Sequence, residues 1–134
     1  IHVSNYYYIE KRGQLAHMLS DMLNERVAVA DRKPWKTFFA NSGAEANECA
    51  IKLARKYSFD KYGKDAERNI IITLVNSFHG RTLCTLSATG QEVFHNYFFP
   101  FVSGFENVIA NDIDDLMVAM RAKAERNKKK KSGV

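Results

Sequence analysis

Two short runs carry the side chains best suited to chemistry: Ser42-Gly43-Ala44, at the head of a strongly helical stretch, and Phe78-His79-Gly80-Arg81, just after an apolar run. At a helix start the first backbone N–H groups lack intrahelical acceptors and the dipole is positive, so a phosphate binds well there. Gly43 lets the main chain approach such an anion closely, and Ser42 can donate its hydroxyl. Ser42 can equally do no more than cap the helix. In the second run an aromatic face, an imidazole and a guanidinium fall within four residues. Each has a structural reading of its own: Phe78 as core, His79 as a satisfied hydrogen-bonding residue, Arg81 as a surface charge. Together, a phosphate cradle, a stacking ring and a carboxylate-binding fork match what an aromatic phosphorylated cofactor and an amino-acid substrate require.

The elements that must position these runs follow from periodicity. Leu15, Met18, Leu19, Met22 and Leu23 repeat at helical spacing, which predicts a helix over Gln14–Glu25 packed on a sheet and broken off by Pro34. Thr37–Ala40 reads as a short β-type run ending in Asn41-Ser42-Gly43. From Ala44 the helical period returns, with Ala46, Cys49, Ala50, Leu53, Ala54 and Tyr57 predicted on the inner stripe. Glu45 and Glu48 come early in this helix and Arg55 and Lys56 later, which suits the helix dipole. Asn69–Val75 is apolar without alternation, the pattern of a strand covered on both faces. A short helix over Thr82–Ala88, an aromatic irregular stretch over Thr89–Phe105, a strand over Asn107–Ala110 and a helix from Asp112 complete the order. Strands alternating with helices imply an α/β fold with a parallel sheet, and ligands of such sheets sit beyond the carboxyl ends of the strands. Both candidate loops lie at such ends.

The chain has 134 residues, 46% of them hydrophobic, enough for one modest core. Its formal charge of +5 sits at one end: Arg121–Val134 carries seven basic residues against Glu125, leaving 13 basic and 14 acidic residues in the other 120. A neutral body with a basic tail argues against nucleic-acid binding, and the aromatic run Phe94–Phe105 contains no Lys or Arg to interleave with its rings. We expect residues 1–126 to belong to one incomplete domain and 127–134 to form a basic, exposed or disordered segment. Cys49 and Cys84 have no CxxC spacing or clustered metal ligands, so we expect buried free thiols and no metal. No apolar run reaches the ~18 residues of a membrane span, and no signal-peptide pattern opens the chain, so we expect a cytoplasmic protein without a membrane partner. The start at Ile1 leads us to expect a segment of something longer.

The run Phe38-Phe39-Ala40-Asn41-Ser42-Gly43-Ala44-Glu45-Ala46-Asn47-Glu48, continued by Ala50-Ile51-Lys52-Leu53-Ala54-Arg55, resembles the phosphate-binding segment of class III pyridoxal-phosphate (PLP) aminotransferases. Ser77-Phe78-His79-Gly80-Arg81-Thr82, then Ala88-Thr89-Gly90-Gln91, is similar to that family's cofactor-stacking segment. His2-Val3-Ser4-Asn5 and Asn111-Asp112 fall in the family's order too, so the resemblance runs from His2 to about Met120. Within the class, Phe-His-Gly-Arg-Thr with the later Thr-Gly-Gln is most similar to the acetylornithine and succinylornithine members.

The resemblance implies the N-terminal half of the large PLP-binding domain of a fold-type I aminotransferase. It implies PLP as cofactor, its phosphate held by Ser42, Gly43 and Ala44 and its ring stacked on Phe78. Arg81 would bind the substrate α-carboxylate, where a planar bidentate donor does better than lysine. His79 lies beside the cofactor in the family pattern and receives no chemical role. The implied activity is transfer of the terminal amino group of N-acetylornithine to 2-oxoglutarate in a homodimer; ornithine, 4-aminobutyrate or another ω-amino substrate is the alternative. A nucleotide-binding module is the alternative of another class, but neither a GxxxxGK[ST] nor a GxGxxG run is present. The family's Schiff-base lysine stands in a context that no lysine here matches, so no catalytic residue is assigned, the lysine is expected beyond Val134, and residues 1–134 alone are expected to be inactive.

Overall fold

The computed structural model describes residue 4 and residues 6–66 and 68–132, without the side chains of 65 and 123–132. It divides into two compact units, Ile1–Ala40 and Asn41–Val134. Of the His2–Asn5 run, only Ser4 lies among the described residues.

The first unit is built on helix α1 (Glu10–Asn24). The predicted stripe is present on it but uncovered: exposure of its five apolar residues runs from 36% at Leu19 to 68% at Met22. The expected packing on a sheet is therefore not found within this unit, whose other described parts are a 3₁₀ turn at Val29–Asp31 and extended chain. Pro34 does not end the helix, which stops well before it. Asn24 turns the chain instead, donating from Nδ2 to the Lys33 carbonyl at 2.9 Å and accepting from the Lys33 N–H at 3.2 Å. Thr37–Ala40 is not a strand. Its residues suit one, but a strand exists only as part of a ladder, and the described sheet has two strands, neither of them here.

The second unit holds α2 (Gly43–Tyr62), β1 (Ile71–Leu74), α3 (Leu83–Ala88), β2 (Phe105–Val108) and α4 (Ile113–Ser132). Strands β1 and β2 pair in parallel, Ile71 opposite Phe105 and Leu74 opposite Val108, with α3 in the connection between them. The α/β reading of the sequence thus holds. β1 is shorter than expected, and β2 lies two residues earlier than predicted. Its position is fixed by Arg55 of α2, whose Nη2 donates to the Ser103 carbonyl at 2.9 Å while its guanidinium lies 5.2 Å from the Phe105 ring centre. Gly104, at φ +98°, leaves room for that guanidinium: a Cβ there would come within 2.8 Å of Nη2.

β1 is not covered on both faces. Ile71 and Thr73 are half-buried, whereas Ile72 and Leu74 are 39% and 46% exposed. The covered face is the one α3 meets, where Thr73 Oγ1 donates to the Ala88 carbonyl at 2.8 Å. Burial centres on Ile51, Leu86, Ala88 and Val108 together with the hydroxyl residues Thr85, Ser87 and Thr89. Buried hydroxyls cost free energy unless bonded, and all three are bonded. Thr85 shares a capping box with Thr82, Thr89 Oγ1 donates to the Thr85 carbonyl, and Ser87 Oγ donates to the Leu83 carbonyl while accepting from the Val102 N–H.

The inner face of α2 also differs from the predicted one. Ala46, Ala50 and Ala54 are exposed, as are Leu53 (66%) and Tyr57 (58%); of the expected stripe only Cys49 is half-buried. Besides Cys49, the residues turned inward are Ala44, Asn47, Glu48, Ile51, Arg55 and Ser58, a stripe rotated toward polar side chains that bond to other parts of the chain. α4 begins as expected, with Asp112 Oδ1 accepting from the Asp115 N–H at 2.9 Å. Its backbone is helical to Ser132, with no break at 126/127. The side chains of the lysine run lie outside the described residues.

Candidate functional site

Ser42 is the N-cap of α2, extended at φ −154° and ψ 164°, and its hydroxyl accepts from the Glu45 N–H at 3.2 Å. Glu45 reaches back to the Asn41 N–H at 2.6 Å. The capping reading of Ser42 is therefore realised, and it leaves the hydroxyl proton free to donate. The first intrahelical bond runs from the Ala46 N–H to the Ser42 carbonyl, so the amides of Gly43 and Ala44 precede the helical ladder at its positive end. At Gly43 an added Cβ would meet nothing within 4 Å. The chain's own packing does not require a glycine there, and the open space beside two uncommitted amides suits an incoming anion.

The second loop leaves the carboxyl end of β1. Asn76 takes φ 65°, the Asn76 N–H donates to the Gly90 carbonyl, the Gly90 N–H donates to the Ser77 carbonyl, and Gln91 Nε2 donates to the Asn76 carbonyl. Gly90 is needed for this clasp, since a Cβ would stand 2.3 Å from the Leu74 carbonyl oxygen and 3.0 Å from the Val75 Cα. The Thr89-Gly90-Gln91 run thus fastens the loop to the strand end.

The two loops are in contact. Gly80, at φ +126°, lies against Ala44: a Cβ on it would fall 2.7 Å from the Ala44 Cβ and 2.7 Å from Thr85 Oγ1. Asn47 Nδ2 donates to the His79 carbonyl at 2.8 Å, the His79 N–H donates to Thr89 Oγ1 at 3.0 Å, and Thr82 Oγ1 bonds to Glu48 Oε1. The structure therefore brings Gly43 and Ala44 beside the Phe78–Arg81 loop. Phe78 is 52% exposed and meets Phe94 edge-on, ring centres 5.5 Å apart at 63°. It is a rim residue, not core. Arg81 is exposed, and among the described residues no carboxylate pairs with it. His79 is half-buried, and its Nε2 is shielded from solvent with no hydrogen-bond partner among the described residues.

Other reactive groups stand apart from these loops or are subdued. Burial pushes the Cys84 thiol up, with Glu48 adding to the shift, which keeps it protonated; both cysteines are free and half-buried. Lys52 and Lys56 are exposed on α2, and Lys56 is paired with Asp60 at 2.6 Å. Residues that carry no chemistry but hold the site, Asn47, Glu48, Thr85 and Thr89, do not stand out in a hydrophobic pattern. Their signal is the presence of polar side chains where apolar ones would be expected to face a core.

Among curated proteins, the chain is 58% identical over 113 residues to an acetylornithine aminotransferase of Haemophilus ducreyi, covering 84% of this chain and 26% of that protein. It is 52% identical over 120 residues to an acetylornithine aminotransferase of Caldanaerobacter subterraneus, covering 90% and 28%. The chain thus spans about a quarter of the length of these relatives. Among solved structures, a Bacillus anthracis aminotransferase is 32% identical with a TM-score of 0.68 over 83% of this chain and 22% of its own. The Toxoplasma gondii ornithine aminotransferase, at 24% identity, shares the fold with a TM-score of 0.73 over 89% and 26%. The family described as Aminotransferase class-III matches residues 1–132, and the chain belongs to that family.

Proposed function

We propose that this chain supplies the phosphate, ring and carboxylate contacts of a PLP-dependent aminotransferase that moves the terminal amino group of N-acetylornithine to 2-oxoglutarate. The observation that supports the reading is the contact of Gly80 with Ala44, which brings the start of α2 next to the exposed Phe78 ring and to the Arg81 guanidinium, paired with no carboxylate among the described residues. The residues present fit the cofactor: open space at Gly43 for its phosphate, and a half-exposed Phe78 for its ring. Bound PLP supplies an electron-withdrawing ring that stabilises negative charge on the substrate carbon. The amides of Gly43 and Ala44, with the Ser42 hydroxyl, bind and orient the phosphate. Phe78 holds the ring plane, its own plane supported by Phe94. Arg81 grips the α-carboxylate of the amino donor with two parallel N–H donors, which fixes where the rest of that donor lies. No lysine of this segment is assigned to carry the cofactor. The names of the relatives support acetylornithine as donor, and we place the activity in a cytoplasmic homodimer.

The reading is tested in a protein of the relatives' length that carries this segment. It should bind PLP stoichiometrically and transaminate acetylornithine; activity with ornithine or 4-aminobutyrate and none with acetylornithine would move the substrate assignment. Phe78→Ala should weaken PLP retention by about 1–3 kcal/mol, the range of one lost aromatic stacking partner. Equal PLP affinity in this variant and its parent, measured by equilibrium dialysis, removes Phe78 from the site. Residues 1–134 alone, titrated with PLP, should show no saturable one-site absorbance that a single Lys→Ala change abolishes. Such a band would place the carrier lysine inside this segment.

A further inference from the structure

The contacts between the two loops are made by the first turns of α2, and among the described residues one of them is a side-chain hydrogen bond from α2 to the backbone between Phe78 and Arg81. Asn47 lies one turn beyond Gly43, and its Nδ2 donates to the His79 carbonyl at 2.8 Å. The same residue is gripped from the other side, where its N–H donates to fully buried Thr89 at 3.0 Å. Gly80 follows, seated on Ala44. Phe78 and Arg81 project from either end of this clamped stretch while both remain exposed. Their reach is thus set by backbone that α2 holds, and α2 is the helix whose start offers the anion site.

We propose that Asn47 is a positioning residue that couples anion binding at the start of α2 to the ring and carboxylate contacts of Phe78 and Arg81. It touches neither ligand. Without its donor the loop keeps its tie to Thr89, its steric stop at Ala44 and the Thr82–Glu48 bond, but the His79 carbonyl is left without this donor and the backbone between Phe78 and Gly80 loses its bond to α2. Phosphate contacts made by Gly43 and Ala44 amides do not depend on that bond. The coupling deepens the proposed function and rests on it.

The test uses a protein of the relatives' length with Asn47→Asp and Asn47→Ala. Asp is nearly the size of Asn, and its charge suits the early turns of a helix, so α2 should keep its start, but at neutral pH the carboxylate has no proton to donate to a carbonyl. Three quantities are read: affinity of the apo protein for inorganic phosphate, affinity for PLP, and KM and kcat for the amino donor. Both variants should lose about tenfold in PLP affinity and raise KM for the donor, the size expected for one lost hydrogen bond of this kind; phosphate affinity of the neutral Asn47→Ala should stay within about twofold of the parent, while the charge of Asn47→Asp also repels phosphate. A merely structural role would lower phosphate affinity and thermal stability of Asn47→Ala in step with its PLP affinity, and that pattern overturns the proposal. So does PLP affinity and donor KM equal to the parent's in both variants. A parent that binds inorganic phosphate but not PLP overturns the functional reading itself, and the coupling with it, before any variant is compared.

Discussion

Gly90→Ala should cost about 3 kcal/mol or more of folding stability, at the upper end of what a single overpacked methyl does. The added carbon would stand 2.3 Å from the Leu74 carbonyl oxygen, 3.0 Å from the Val75 Cα and 3.1 Å from the Asn76 N. All three are backbone atoms at a strand end, so no side chain can swing aside to relieve the contact. The strand end or the clasp must move, and with the clasp goes the bond from the Gly90 N–H to the Ser77 carbonyl. Gly43→Ala is the matched control. An added carbon there meets nothing within 4 Å, so stability should change by less than about 0.5 kcal/mol, while the methyl occupies space the phosphate needs. Denaturant midpoints and PLP affinity measured on both variants should therefore separate: Gly90→Ala loses the first, Gly43→Ala the second. Equal denaturant midpoints for Gly90→Ala and its parent would show that the described turn is not the one the protein adopts.

Arg81→Lys should lower kcat/KM for the amino donor by about 1.5–3 kcal/mol, roughly ten- to a hundredfold. The substitution keeps the charge and removes the planar pair of donors that a carboxylate accepts in parallel. Because Arg81 is exposed and pairs with no carboxylate among the described residues, the change strands no buried partner, and thermal stability should stay within the ordinary range for a surface site. The loss should be confined to substrates with an α-carboxylate: a simple ω-amine should react equally well with both proteins. Kinetics with acetylornithine unchanged by the substitution would take Arg81 out of the site.

What the sequence disclosed was decided locally. A Ser followed three residues later by Glu at the head of an alanine-rich helix is a cap whatever surrounds it, and Ser42 and Glu45 behave so. Ile71 to Leu74 suit a strand because β-branched residues dominate the run, and β2 gives them the ladder that Thr37–Ala40 lacks. What stayed hidden was decided at a distance. The facing of α2 is set by Asn47, Glu48 and Arg55 bonding to His79, Thr82 and Ser103, and a count of apolar periodicity assigns no weight to such bonds. Thr37–Ala40 has strand-like residues but no ladder to join, and β1 has a residue pattern suited to two covers and only one in this unit. Of the candidate site, the side chains proposed to contact cofactor and substrate were legible by type and spacing. The threonines and the asparagine that hold them were not, since a buried Thr89 reads in sequence like any loop residue.

The seat of Gly80 on Ala44 also bears on how such sequences can diverge. The two positions lie 36 apart in the chain yet share one van der Waals gap, so they form a single hereditary unit. Any side chain at 80 is barred both by that contact and by its left-handed backbone. Position 80 cannot drift while the loop stays seated, and a lineage that changed substrate through residues around Arg81 would have to do so with this glycine held fixed. Variation across descendants should accordingly gather at the exposed flanks, such as Leu83 and Val93, and leave the glycine at 80 in place even where substrate preference has changed.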